Sequence, residues 1–227
     1  MDAFLFFKSY TNNISILNIN VILAYLLMNL SENEKQIITK GIKNNFPGLS
    51  YAKISELLQL FEIEHISKRE EVIKSGQFYT NIVFVISGSF RAYYKYHEHE
   101  NTFWFREKYS VFASPRSIFQ EKPSRIIYQA LEDSVIATID YKKLKELAVD
   151  DPEVSKSIIS VLESLIVELI NRIEEFSTSN AEQRYVSFLK NNGDIIKQLP
   201  QQQIASYLGI TPESFSRLKS RLKTKND

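Results

Sequence analysis

Arg184, Lys190, Lys197, Arg217, Lys219, Arg221, Lys223 and Lys225 all lie after residue 179, opposed there by only Glu182, Asp194, Glu213 and Asp227. Subtracting these from totals of 28 basic and 27 acidic residues leaves 20 and 23 for the rest of the chain. A net charge of +1 thus hides a tail of +4 and a body of −3. Cations clustered on a short C-terminal stretch are the footprint of contact with nucleic-acid phosphates. The plain alternative is an αα-hairpin whose charged face is only solvated. The spacing of the residues between the cations weighs against it.

From Leu199 to Lys223 the chain reads LPQQQIASYLGITPESFSRLKSRLK. At helical period Ile204, Ala205 and Leu208 form one apolar stripe, and Phe215, Leu218 and Leu222 form a second. Gly209 ends the first helix, because glycine reaches positive φ without a Cβ clash. Ile210 can tuck into the gap the two helices share. Thr211 caps the next helix, Pro212 takes the first position, where no N–H is needed, and Glu213 suits the positive helix start. Two short helices joined by a tight glycine turn, with a small Ala205 where they cross, make a helix-turn-helix.

Other chemistry is sparse. There is no cysteine, which removes thiol catalysis, disulfides, Cys zinc sites and Cys-held iron–sulfur clusters. His97 and His99 stand two apart near an expected hairpin tip, beside Glu98 and Glu100. Two residues apart share a strand face, so a metal is conceivable there, but loop histidines are far commoner than ligands. No Ser/His/Asp set, metal cluster or phosphate loop is evident, so an enzyme is not expected, nor is a metal or other cofactor.

A chain of 227 residues with 44% hydrophobic and 24% charged content suits a globular protein of one large or two modest domains. The run Val21–Met28 is far shorter than the roughly 18 residues a membrane span needs. Residues 1–27 read either as an amphipathic helix on the body or as an extension ahead of a start at Met28. Ser31 to Glu34 reads as a capping box for a helix to about Lys40, followed by a turn region to Leu49. Ser50–Phe61 is a short amphipathic helix. From Ile63 to Ile139 the period becomes two, with short strands near 71–74, 82–86, 90–94, 102–105, 125–128 and 134–139 and turns at Gly76 and Gly88. Many short strands in under eighty residues predict a β-barrel or double-sheet roll.

Asp140–Ala148 is then a short helix, and Asp151-Pro152-Glu153 opens a long one. Its seam is Ile158, Leu162, Leu165, Leu169, Ile173 and Phe176, broadened by Val161, Ile166 and Ile170. Near-heptad spacing over some 25 residues predicts pairing with another helix as well as packing on the barrel. Ser179 with Glu182 reads as a capping box, so Ser177–Asn180 is the expected hinge. A helix to Lys190 follows, with Asn191–Asp194 as its exit turn.

Barrel, long helix, hinge and helix-turn-helix in this order resemble the Crp/Fnr family over roughly Ile42 to Lys223. The carriers are SGQFYTNIVFVISGSF around Gly76 and Gly88, the stretch Ala130–Ile139, and Glu213-Ser-Phe-Ser-Arg217, which is similar to the family's E-x-x-S-R recognition-helix motif. The resemblance implies an α+β protein in four parts. These are an N-terminal helical extension (1–41), a cyclic-nucleotide-binding-like β-roll or jelly roll (42–150), a dimerisation helix (151–178) and a winged helix-turn-helix (179–227).

It also implies a cytoplasmic, homodimeric transcription regulator on palindromic double-stranded DNA with a TTGA-like half-site, in partnership with RNA polymerase. Arg217 would donate twice to guanine and Glu213 accept from cytosine, with Ser216 on a neighbouring base edge. Thr211 and Ser214 belong to the same contact set, and Lys219, Arg221 and Lys223 would meet phosphates.

The sequence departs from the family where a cyclic nucleotide would be held. The Gly-Glu segment and the Arg-Ser or Arg-Thr pair fall, by alignment, at Ala113-Ser114 and Ser124-Arg125. The ribose-binding glutamate is missing and the arginine is displaced by one, which on a strand turns it to the other face. The expectation is an effector-site set of Ala113, Ser114, Ser124 and Arg125 without tight cyclic-AMP binding. Arg106, Arg116 and Lys122 nearby leave room for another anion, but a solvated loop is the favoured reading. The alternative is an intracellular small-anion or nucleotide receptor whose C-terminal domain serves another partner.

Overall fold

The structure, a computed structural model, describes residues 36, 39–41, 43, 48–191, 193–196 and 199–226. The readings of residues 1–27 and of the Ser31 capping box lie outside these. Gly41 and Lys43 are helical, where a turn was expected. Ser50 caps α1 (Tyr51–Leu58), its hydroxyl accepting from the Lys53 amide at 3.2 Å.

Strands follow as β1 (Glu62–Ile66), β2 (Glu71–Ile73), β3 (Asn81–Ser87), β4 (Phe90–Tyr96), β5 (His99–Arg106), β6 (Val111–Phe112), β7 (Ile126–Ala130) and β8 (Ser134–Asp140). They form two four-stranded antiparallel sheets, ordered β1-β8-β3-β6 and β2-β7-β4-β5. This is the double-sheet roll the period-two patterning predicts.

The unbroken apolar run Ile82–Ile86 in β3 has a simple cause, since the strand is covered on both faces. Val83 and Val85 point into the space between the sheets, with Phe90, Ala92, Tyr128 and Ile136. Phe84 and Ile86 point the other way, into a second cluster with Ile54, Leu57, Leu144 and Val154. Gly88 closes the β3–β4 turn at φ +87°, and a Cβ there would collide with Ser134.

Three elements up to Asp140 are missing from the expected strands and helices. They are β1, β6 and the helix α2 (Pro115–Gln120), which Ser114 caps.

Asp140 caps α3 (Tyr141–Asp150), and Asp151 caps the 27-residue α4 (Pro152–Thr178) by accepting from the amides of Glu153 at 2.9 Å and Val154 at 3.2 Å. Lys53 holds this corner from α1 through a 2.6 Å ion pair with Asp151. Val154 and Ser157 are buried, and Ile158 and Val161 lie half-buried against the roll. Beyond them α4 leaves an apolar face in solvent, with Ile166 55% and Ile173 64% exposed.

The capping box after α4 sits one residue later than expected. The Asn180 side chain accepts from the Gln183 amide at 3.0 Å, and the Gln183 side chain accepts from the Asn180 amide at 2.9 Å. Ser179 instead ends α4. Helices α5 (Ala181–Asn191), α6 (Gly193–Ile196), α7 (Gln201–Tyr207) and α8 (Pro212–Asn226) complete the chain. Helix α6 occupies the expected exit turn. No strand follows Asp140 among the described residues, so the expected wing does not accompany these helices there.

The C-terminal helices share a core of Tyr185, Phe188, Ile204, Ala205, Leu208, Phe215 and Leu218, and Phe105 of β5 enters it from the roll. Strand β5 is a sheet edge, whose open backbone groups need partners. Ser206 of α7 supplies one, accepting from the Thr102 amide at 2.8 Å and donating to the Glu100 carbonyl at 2.8 Å. Arg172 of α4 donates to the Tyr207 carbonyl. The terminal helices are therefore docked on the roll as well as joined to it through α4.

Candidate functional site

Helices α7 and α8 meet as their residue types dictate. Ala205 is fully buried at the crossing, and its carbonyl accepts from the Ile210 amide at 3.0 Å. Gly209 turns the chain at φ +69°, and a Cβ there would stand 2.7 Å from the Phe176 ring at the end of α4. Thr211 caps α8, its hydroxyl accepting from the Ser214 amide at 3.2 Å.

Buried Phe215 and Leu218 then set the rotation of α8. That rotation leaves Thr211, Glu213, Ser216 and Arg217 in solvent, with Ser214 half-buried among them. The Arg217 guanidinium donates to the Ser214 hydroxyl at 3.2 Å. The Glu213 carboxyl is held below the usual carboxylate range, first by its own amide, then by Thr211 and by the charge of Arg217. The leading turn of α8 thus offers a carboxylate and a guanidinium to whatever approaches it, the donor and acceptor types that read base edges in a major groove.

The basic surface is smaller than the eight cations imply. Arg184 is buried, donating to the Leu208 carbonyl at 3.1 Å and to the Ser179 carbonyl, so it ties two helix ends together. Arg221 reaches back to Glu182 at 2.8 Å. Lys190 is exposed and Lys219 half-exposed.

The four positions aligned with a nucleotide site do not assemble into one. Ser114 is buried and hydrogen-bonds Ser117 at 3.0 Å. Ser124 is buried and bonds the Ile126 backbone, accepting at 3.1 Å and donating at 2.9 Å. Arg125 is exposed, and only Ala113 borders an open space.

That space is a cavity of about 150 Å³ between the roll and α4, walled by Trp104, Phe112, Ile118, Val161 and Leu165. Arg106 also lines it, with its guanidinium 4.1 Å from the Trp104 ring centre. Both terminal nitrogens donate to Glu168 of α4, at 2.7 and 3.1 Å. Burial pushes the neighbouring Tyr128 phenol up to about 12. Sequence reasoning placed Arg106 only near the site, because its partner is 62 residues away. His97 and His99 stand at the β4–β5 tip, where His97 takes φ +52° and packs on Tyr96.

Fold and site together define a two-part protein, a double-sheet roll joined by one long helix to an exposed helix-turn-helix. The chain is similar to regulators of the Crp/Fnr type. The cyclic nucleotide-binding domain model matches residues 63–151. The chain is 26% identical over 188 residues to the fumarate and nitrate reduction regulatory protein of Vibrio cholerae, covering 77% of this chain and 74% of that protein. It is 28% identical over 185 residues to electron transport regulator A of Shewanella oneidensis, covering 74% of this chain and 73% of that one. In fold it is similar to FixK2 of Bradyrhizobium japonicum, with a TM-score of 0.62 at 18% identity over 73% of this chain and 86% of that one. No described helix is long and apolar enough to cross a membrane.

Proposed function

We propose that this protein is a sequence-specific DNA-binding transcription regulator that acts as a homodimer in the cytoplasm. The observation that carries the reading is the exposed Glu213–Arg217 pair on the first turns of a helix whose rotation is locked by buried Phe215 and Leu218. Arg217 reads guanine, Glu213 reads cytosine, Ser216 touches a flanking base, and Lys219 meets phosphate. Thr211 and Ser214 position the two readers.

The exposed face of α4 supplies the dimer contact. Ile159, Leu162, Ile166, Ile170 and Ile173 follow one another by three or four residues along about 20 Å of helix. Pairing two copies there sets two recognition helices about 34 Å apart, one turn of duplex, and the preferred site is then two-fold symmetric. RNA polymerase is the partner at the promoter, as in the resembling family. Residues 42–150 sense, 151–178 pair and 179–227 read.

Selection of bound fragments from a random DNA pool tests this. Enrichment of a symmetric site supports it, and binding without sequence preference or symmetry overturns it.

A further inference from the structure

We infer that Glu182 keeps Arg221 off the DNA backbone, so that one cation of each recognition helix is withheld from phosphate. This role rests on α8 being the helix that meets DNA, and it concerns which of its charges the backbone reaches.

Position comes first. Glu213, Arg217 and Arg221 follow one another by four residues and so lie along one side of α8. Arg221 thus stands one turn beyond the base reader Arg217, a place suited to a phosphate contact. Its guanidinium donates instead to the Glu182 carboxylate at 2.8 Å. The Arg221 side chain is 60% exposed and that of Glu182 28%, so a phosphate could approach the same guanidinium from solvent.

Glu182 is held for this contact rather than carried to it on a loose surface. It stands in the first turn of α5. Asn180 and Gln183 cap that turn reciprocally. Arg184, two residues on, is buried and fastens the start of α5 to the Ser179 and Leu208 carbonyls. The carboxylate is therefore fixed beside α8 before any DNA arrives.

Charge supplies the consequence. An exposed ion pair contributes little to folding. Its effect on an approaching polyanion is larger, because sequence-independent affinity comes from cations that replace the counterions of phosphates. While Glu182 holds it, Arg221 releases no counterion. A larger share of the affinity then falls to Arg217 and the base edges.

The test is binding of the full chain to a random-sequence duplex, followed from about 50 to about 200 mM salt. Glu182→Gln removes the charge and keeps the shape. It should tighten binding at the low end and steepen the slope of log affinity against log salt by about 0.9 per protomer. For a dimer that is about 1.8, so affinity should fall roughly tenfold more than in the wild type across the range. The same substitution made beside Arg221→Gln should give no gain, since the cation it would free is missing.

Unchanged slope and affinity overturn the inference, and so does weaker binding, which would make Glu182 a support for α8. An equal gain with and without Arg221 also overturns it, by reducing Glu182 to one negative charge among many. A random duplex needs no preferred site, so these outcomes stand apart from the pool selection. A symmetric selected site with an unchanged slope sinks only this inference. A steepened slope with no preferred sequence sinks only the regulator reading.

Discussion

At the scale of single residues, exposed Arg217 and half-buried Asp151 show how differently two charges can matter. Arg217 has solvent on its outer side, so its value lies in what it can meet. Arg217→Ala should cost roughly 1–3 kcal/mol of discrimination at one base pair, read by comparing affinities for single-base variants of the selected site. Equal loss on scrambled DNA would instead make Arg217 a phosphate contact.

Asp151 works inward. Its carboxyl lies below the ordinary value of 3.8, chiefly through the hydrogen bond from Lys53 and then through the Val154 and Glu153 amides. A carboxyl depressed in the folded state contributes stability that is present above its unfolded pKa and is lost as pH falls through its folded pKa. Asp151→Ala should therefore lower the urea midpoint at neutral pH, and the gap to wild type should close as the pH drops below about 4. A gap independent of pH would mean that only the packing of the corner had changed.

At the scale of elements, two junctions decide where the helix-turn-helix sits. Gly209 holds a left-handed backbone against Phe176, so Gly209→Ala adds both backbone strain and a steric clash. A loss of about 1–2 kcal/mol or more is expected in thermal or chemical unfolding. Ser206 seals the open edge of β5 with two hydrogen bonds. At roughly 0.5–1.5 kcal/mol each, Ser206→Ala should cost on the order of 1–3 kcal/mol, and hydrogen exchange at the Thr102 amide should quicken. Unchanged protection there would show that Phe105 and its aromatic neighbours hold the junction alone.

At the scale of the whole molecule, the exposed seam of α4 is the feature that a single copy leaves unexplained. Each Ile or Leu buried there would contribute about 1.5–3 kcal/mol before entropy. Ile166→Glu combined with Ile173→Glu should give a monomer by light scattering and lower affinity for a two-fold site far more than for an isolated half-site. A double variant that remains dimeric would place the pairing surface elsewhere.

Much of this was legible in the sequence, because the strongest signals are local. Short runs of β-branched and aromatic residues mark β3, β4 and β8; Asp151-Pro152 marks the start of α4; Gly209, Thr211 and Pro212 mark the turn and cap of the terminal motif. These depend on backbone geometry and on neighbours within a turn or two. Helix α2, β6 and the one-residue shift of the capping box to Asn180 were less legible, since competing caps and very short elements differ by less than local propensity resolves.

What the sequence by itself determined is the order of elements and the identity of the residues α8 can present, because periodicity, caps and glycine turns act at short range. Only the tertiary structure decided that Arg184 is internal, that Ser206 closes the edge of β5, and that Arg106 meets Glu168 beside an apolar cavity. Those facts join residues 62 to 106 positions apart or, for Arg184, helix ends that meet only on folding. Which polar group is spent on its own fold, and which is left for a partner, is settled by packing alone.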